Sequence, residues 1–274
     1  MRRKNPKIIL VVALILILAA AVIGLLVYEF ITTGELKSSS VFKALAILAG
    51  AALTLGKLYT QRHIKRTPNV YRNLYPDLIG DAFSEQTKQS KTFFRALDHY
   101  NASANSKALA LLGSLDTEAL SRKERFSVTA FTAICYDEMR QYEKAASEYE
   151  KAYDLQINST VASNLGLCYQ QLGQYDKATR AYRDAIDADP KNAYPYNNLA
   201  QLYIRQEEYE KALEHALKAT ELHEGFRQAY SAQAVCYAMM GEKELYEKAL
   251  RHAVSCGSDR ATIEEFVRSL GAEL

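Results

Sequence analysis

Residues 164–190 read NLGLCYQQLGQYDKATRAYRDAIDADP, and residues 198–224 read NLAQLYIRQEEYEKALEHALKATELHE. The two stretches match at a constant separation of 34 residues. The matching pairs are Leu165 with Leu199, Gly166 with Ala200, Tyr169 with Tyr203, Tyr175 with Tyr209, Ala178 with Ala212, and Ala185 with Ala219. A fixed period of this length is typical of repeat proteins, in which neighbouring units stack because one unit cannot bury its apolar face alone.

The same pattern extends along the chain in both directions. Upstream it recurs at a 33-residue offset in Ala133, Tyr136, Tyr142, Ala145, Tyr149 and Ala152; downstream it continues at 34 in Tyr230, Ala234, Tyr237 and Gly241, before three extra residues displace Tyr246 and Ala249. Within one copy, Leu165, Tyr169 and Leu172 lie on one face at helical spacing. Small residues such as Gly166 and Ala178 are expected where two helices approach closely, and the repeat tyrosines are expected to fill the gaps between helix pairs, which explains much of the total of 19.

This pattern resembles the tetratricopeptide repeat. Residues 159–192 carry nine positions of the family pattern: Leu165, Gly166, Tyr169, Gly173, Tyr175, Ala178, Tyr182, Ala185 and Pro190, with Ala162 in place of the leading aromatic residue. Residues 193–226 supply that aromatic as Tyr196, but have Glu207 at the Gly turn and Glu224 at the Pro. The resemblance covers about 126–260 and implies two antiparallel helices per repeat, stacked into a right-handed superhelix.

The N-terminal part of the chain has a different character. Residues 8–28 are 21 consecutive uncharged, mostly aliphatic residues, which as a helix span about 31 Å, the thickness of a bilayer core. Residues 41–59 form a weaker second span, whose Lys43 and Lys57 are placed near its ends, where lysine stems reach the interface. Residues 1–75 carry a net charge of +9 and residues 76–274 a net charge of −7. This asymmetry predicts a membrane anchor that carries a mildly acidic helical domain.

Basic residues flank the two predicted spans. They are Arg2, Arg3, Lys4 and Lys7 before the first, and Lys57, Arg62, Lys65, Arg66 and Arg72 at the end of the second or after it. Positive charge stays on the cytoplasmic side, so the sequence predicts a multi-pass protein of the plasma membrane with both termini and the repeats in the cytoplasm. The alternative is a signal peptide cleaved at Ala19-x-Ala21, but the apolar run continues to Tyr28.

We therefore predict an all-α protein in which an N-terminal transmembrane helical hairpin precedes a tetratricopeptide-type right-handed α-solenoid. The expected segments are a basic tail (1–7), a transmembrane helix (8–28), an external loop (29–40), a second transmembrane helix (41–59), a juxtamembrane linker (60–88), a degenerate repeat (89–122), three repeats (126–158, 159–192 and 193–226), a divergent repeat (227–260) and a capping helix (261–274). The sequence Ser121-x-x-Glu124 reads as a capping box that begins a helix.

The sequence contains none of the motifs that indicate catalysis. Cys135, Cys168 and Cys236 each precede a repeat tyrosine, which packing explains, and the five histidines have no metal-ligand spacing. Gly-rich phosphate loops and nucleophile elbows are missing from the sequence. We therefore expect no enzymatic activity, no catalytic residue, no metal and no cofactor. The acidic repeat region is also unsuited to nucleic acid.

Two classes of function remain open. In the first, the protein is a membrane-tethered scaffold that binds a protein or peptide partner in the concave groove, while residues 8–59 contact lipid. The family resemblance favours this class and implies that Asn164 and Asn198 lie on the concave face, with Asn197, Gln171, Arg205 and Tyr194 near them. An Asn amide can pair with both halves of a peptide unit; the alternative is that it bonds only neighbouring helix backbone or water. In the second class, the protein is a structural subunit that forms homo-oligomers or stabilises a membrane complex.

Overall fold

A computed structural model describes residues 68–272, and within this range the chain is helical, without a β-strand. The helices are α1 (Pro68–Leu74), α2 (Pro76–Ile79), α3 (Lys88–Asn101), α4 (Asn105–Leu112), α5 (Arg122–Glu138), α6 (Tyr142–Leu155), α7 (Ser159–Gln171), α8 (Tyr175–Ala188), α9 (Ala193–Arg205), α10 (Tyr209–Leu222), α11 (Arg227–Met239), α12 (Lys243–Ser255) and α13 (Arg260–Ser269). The predicted hairpin at 8–59 lies outside the described residues. Among residues 68–272, no helix combines the length and the apolar character that crossing a membrane requires.

The helices stack in consecutive pairs. The pairs α5–α6, α7–α8, α9–α10 and α11–α12 pack tightly, and each second helix also contacts the first helix of the following pair, as α10 contacts α11. The first helices contact one another from α7 to α9, to α11 and on to α13, whereas the second helices of consecutive pairs make no comparable contact. The first helices therefore form a closely spaced inner layer and the second helices an outer layer. This all-helical solenoid confirms the repeat architecture predicted from the 34-residue period.

The turn inside each pair has one recurring backbone geometry. A residue with positive φ follows the first helix: Arg140 (56°), Gly173 (72°), Glu207 (62°) and Gly241 (77°). The next amide donates to the carbonyl of the repeat tyrosine, over 2.8 Å for Gln174 to Tyr169 and 2.9 Å for Glu208 to Tyr203. This left-handed turn ends helices and favours glycine. Glu207 thus keeps the turn without the glycine, at a cost in backbone strain.

The close approach predicted at Gly166 is confirmed. A Cβ atom at this position would lie 2.5 Å from Cε1 and 2.6 Å from Cδ1 of Tyr182, whose side chain is fully buried on α8. Glycine is therefore the residue that lets α7 and α8 pack around this ring. Cys135, Cys168 and Cys236 are also fully buried, in agreement with their expected role as small packing residues.

The described part of the predicted linker differs from expectation. Residues 68–83 form α1 and α2, which begin at Pro68 and Pro76, and they bury Tyr71, Leu78 and Phe83 in the core. The hydroxyl of Ser127 in α5 donates to the carbonyl of Leu78 over 2.7 Å. Apolar side chains at 71–83 find apolar surface on the inner layer, and prolines at helix N-termini start helices rather than break them. Residues 68–83, which the sequence placed in the juxtamembrane linker, therefore pack with the helical repeats.

Both ends of the repeat array are closed by helices of their own. Upstream, α3 and α4 form the pair expected at 89–122, and Ala108, Leu112 and Leu115 are buried there. The predicted capping box is present, since Ser121 caps α5 together with Glu124. Downstream, α13 packs against α11 and α12, and Arg260 bridges Glu264 and Glu247 of α12. This helix occupies Arg260–Ser269 of the stretch expected to cap the array.

Candidate functional site

A groove of 720 Å³ opens on the inner layer near the C-terminal end of the array, between α9, α11 and α13. We call it the C-terminal groove. Its apolar side chains are Ile204, Ala232, Val235, Ile263, Phe266 and Leu270, and its polar ones include Gln201, Arg205, Glu207, Arg227, Gln228, Ser231, Ser258, Asp259 and Thr262. An apolar floor with a few polar groups around it is typical of binding sites.

The repeat register explains how these side chains come together. Gln201, Ile204 and Arg205 lie three and four residues apart on α9 and so share one face of that helix. Gln201 and Val235 are 34 residues apart, so α11 presents the corresponding position to the same groove. The inner layer therefore offers one continuous face, and α13 supplies a wall that stands outside the repeat pattern.

The charged side chains of the groove differ in whether they already have a bonding partner. Asp259 caps α13, accepting from the amide of Thr262 over 2.9 Å and from its hydroxyl over 2.7 Å. These bonds lower the pKa of Asp259 below its ordinary value and keep it ionised. Arg205, in contrast, makes no ion pair with any residue of the described range, and neither does Arg227, which donates only to the carbonyl of Gly257 over 3.3 Å. The groove thus holds two guanidinium groups without acidic partners in the described structure.

The floor of the groove presents an exposed aromatic ring. Phe266 on α13 keeps 46% of its surface accessible, although Ile263 and Val267 on the same helix are buried. The hydroxyls of Ser231 and Ser258 lie 2.9 Å apart and tie α11 to the loop before α13. This bond fixes α13 against α11, so a partner side chain that covers Phe266 would bury apolar surface on a helix that is already in position.

Of the six residues predicted to form the site, one lines the C-terminal groove and five do not. Arg205 lines the C-terminal groove. Tyr194 is 66% exposed and contacts the Phe226 ring edge-on at 5.1 Å, Gln171 is exposed at the end of α7, and Asn197 is only 4% exposed. Contact of these three residues with a partner stays a prediction.

The two asparagines predicted to bind partner backbone contact neighbouring repeats. The amide nitrogen of Asn198 donates to the hydroxyl of Ser163 on α7 over 3.2 Å. Asn164 lies near the hydroxyl of Tyr149 on α6, whose pKa burial raises well above its ordinary value, but it makes no hydrogen bond to that hydroxyl. Asn198 therefore links adjacent helix pairs, and the binding of a partner by either asparagine stays a prediction.

Sequence reasoning missed most of the C-terminal groove. Arg227, Ser231 and Phe266 line it but were not among the predicted residues. The repeat register offered a signal for the first two, because α11 repeats the positions of α9 34 residues later. Phe266 belongs to the capping helix, whose place relative to the groove has no counterpart in the repeats.

The N-terminal end of the same inner layer is covered by the chain itself. Ser127, which bonds the Leu78 carbonyl, lies 101 residues before Gln228, at the corresponding repeat position. The amide nitrogen of Asn158, at the start of α7, donates to the carbonyl of Asp77 over 3.0 Å. Polar side chains of the inner layer therefore pair with peptide carbonyls here. This is the type of contact predicted for Asn164 and Asn198, made instead by Ser127 and Asn158 with residues of the same chain.

Comparison with known proteins agrees with this architecture. Family models of the tetratricopeptide repeat match residues 161–192 and 181–214. The chain is similar in fold to a crystal structure of MamA (17% identity, TM-score 0.54, covering 65% of this chain and 99% of that one) and to a MamA AMB-1 structure (22%, 0.51, covering 64% and 96%).

A third solved structure is that of YrrB, described as a TPR protein with an unusual peptide-binding site. It shares 17% identity with a TM-score of 0.54, and the match covers 74% of this chain and 99% of that one. At these identities the likeness concerns the fold alone. The family models therefore place tetratricopeptide repeats at residues 161–214, and the 34-residue period and the stacked helix pairs extend the same architecture on either side of them.

Proposed function

We propose that this protein is a binding scaffold that holds a segment of a partner protein in its C-terminal groove. One observation carries the proposal: the inner layer is covered by residues 68–83 at its N-terminal end and leaves an open groove of 720 Å³ at its C-terminal end. The groove combines an apolar floor with the unpaired Arg205 and Arg227, as a site that binds polypeptide requires. We propose binding rather than catalysis, because the hydroxyl of Thr262 that lies beside the Asp259 carboxylate in this groove is part of the N-cap of α13.

The exposed ring on the groove floor allows a direct test. A photo-crosslinking phenylalanine analogue at Phe266 of the full-length chain, expressed in its native cell, should crosslink to a partner. Leu217 on the outer helix α10 is the matched control, since it is 45% exposed and Phe266 46%. A partner captured at 266 and absent at 217 would support the groove. Equal capture at both positions, or none at 266, would contradict it.

We further propose that residues 8–28 and 41–59 tether this scaffold to the membrane as a hairpin, with both termini in the cytoplasm. The support is the apolar length of the first stretch and the basic residues around the pair. In a Cys256→Ser background, an impermeant thiol reagent added to intact cells should label Ser39→Cys. It should not label Ser258→Cys. Labelling of the second position alone would refute this topology.

A further inference from the structure

The N-terminal end of the inner layer shows what kind of segment this surface accepts. Residues 77–83, with the sequence DLIGDAF, combine two acidic side chains with four apolar ones. Leu78, Ile79 and Phe83 are buried, and the carbonyls of Asp77 and Leu78 accept bonds from Asn158 and Ser127. The second carboxylate of the segment, Asp81, lies outside the core and pairs with Lys123 on α5 at 2.8 Å.

The C-terminal groove offers the same three kinds of contact. Gln228 occupies the repeat position of Ser127, is exposed and carries two amide donors for a peptide carbonyl. Ile204, Val235 and Phe266 supply the apolar floor. Arg205 and Arg227 supply positive charge of the kind that Lys123 provides at the other end.

Charge decides which segment fits best. The two guanidinium groups are unpaired within residues 68–272, whereas Asp259 is engaged in capping α13. An acidic partner group would therefore gain a charge-assisted bond with a planar guanidinium. The carboxylate of Glu207 also lines the groove but forms no ion pair with either arginine.

We propose that the C-terminal groove binds a short partner segment that combines bulky apolar side chains with Asp or Glu, of the same chemistry as residues 77–83. This inference rests on the proposed function and adds the chemical class of the partner. The apolar side chains cover Phe266, and the acidic side chains pair with Arg205 and Arg227.

The chain itself supplies the probe. A fluorescein-labelled peptide DLIGDAF with an amidated C-terminus is titrated with the purified full-length chain, and binding is followed by fluorescence anisotropy. The matched peptide NLIGNAF, also amidated, removes both carboxylates and keeps the apolar residues. The acidic peptide should bind at least about tenfold more tightly, and the difference should shrink at high salt because screening weakens exposed ion pairs. A third peptide, NLIGNAF with a free C-terminus, should bind like its amidated form.

Variants locate the binding surface. Arg205→Gln with Arg227→Gln should reduce binding of DLIGDAF to the level of NLIGNAF, whereas Phe266→Ala should weaken both peptides. Arg251→Gln is the matched control, since Arg251 is an exposed arginine on the outer helix α12, and it should leave both affinities unchanged.

The outcomes separate this inference from the proposed function. Equal affinity for the acidic and amide peptides, or no effect of the arginine substitutions, would overturn the acidic specificity even if Phe266 crosslinks to a partner. Tight binding of NLIGNAF with a free C-terminus would assign the arginines to a terminal carboxylate and overturn the side-chain proposal. A fall in molar mass when DLIGDAF is added would show that a second copy occupies the groove, which would also overturn it. Absence of any peptide binding together with no crosslink at 266 would remove the proposed function itself.

Discussion

Substitution of Gly166 by alanine should destabilise the native chain but stabilise a chain that also carries Tyr182→Ala. In the native chain a Cβ at 166 would lie 2.5 Å from the Tyr182 ring, where ordinary contacts begin at about 3.4 Å. The ring is fully buried and must move by about 0.9 Å against close-packed neighbours. The next repeat carries Ala200 and Ala216 at the two corresponding positions, and both are fully buried.

The magnitude follows from two opposing terms. Overpacking a buried site costs about 1–3 kcal/mol, and alanine is favoured over glycine in a helix by about 1 kcal/mol. Gly166→Ala should therefore lower the free energy of unfolding by up to about 2 kcal/mol. In a Tyr182→Ala background only the helix preference remains, and the same substitution should raise stability by about 1 kcal/mol. Gly166→Leu, which adds three more carbons, should be more destabilising than Gly166→Ala in the native background.

The measurement is urea unfolding of the full-length chain followed by circular dichroism at the helix band, since the sequence has no tryptophan. Tyr182→Ala alone should cost about 3–5 kcal/mol, as for other buried aromatic residues, and provides the reference for the double variant. A coupling energy of about 1–3 kcal/mol between the two positions is expected. The same sign for Gly166→Ala in both backgrounds would refute the assigned contact.

Three further predictions concern the turns, the thiols and the contacts between repeats. Gly173→Ala should destabilise the protein by about 1 kcal/mol because φ is 72° at this turn. Glu207→Gly, at the corresponding turn of the next repeat, should stabilise the protein by up to about 1 kcal/mol. Melting temperatures that shift in the same direction for both variants would contradict the strain argument. At pH 8 a thiol reagent should react with Cys256 in the folded chain and with the other three cysteines only after denaturation. Burial raises the pKa of Cys135, Cys168 and Cys236 to about 12 each and keeps these thiols protonated. Rapid reaction of a folded Cys256→Ser chain would refute this. Asn198→Ala should cost about 0.5–1.5 kcal/mol through loss of its bond to Ser163, and an unchanged urea midpoint would show that this bond adds no stability.

The repeats were predictable from the sequence because their information is local and periodic. Leu165, Gly166 and Tyr169 define one helix face, and the same spacing returns after 34 residues. The period therefore predicted the helix pairs and the close contact at Gly166. Even the loss of glycine at Glu207 left the turn intact, because the hydrogen bond to Tyr203 and the packing of both helices hold the backbone there.

The docking of residues 68–83 was not predictable in the same way. Leu78, Ile79 and Phe83 are interrupted by Gly80 and follow two prolines, so their spacing matches no long helix. Their burial depends on α5 and α7, which lie about 40 to 80 residues further along the chain. The C-terminal groove could not be predicted for the same reason, because Arg205, Arg227 and Phe266 come together only after three helices have packed.

The repeat positions differ in the range of side chains that they accept, and this difference indicates where binding specificity lies. The slot before the repeat tyrosine is cysteine in three repeats and Leu202 in the other, and it is fully buried each time, so that packing restricts it to apolar side chains. The inner-face position that begins with Ser127 becomes Thr160, Tyr194 and Gln228 in the following repeats, and packing does not fix it. At the N-terminal end this face is used by the chain's own residues 77 and 78. Variation on the inner face therefore remains available for a partner at the C-terminal end, where the groove is open and two arginines form no ion pair within the described residues.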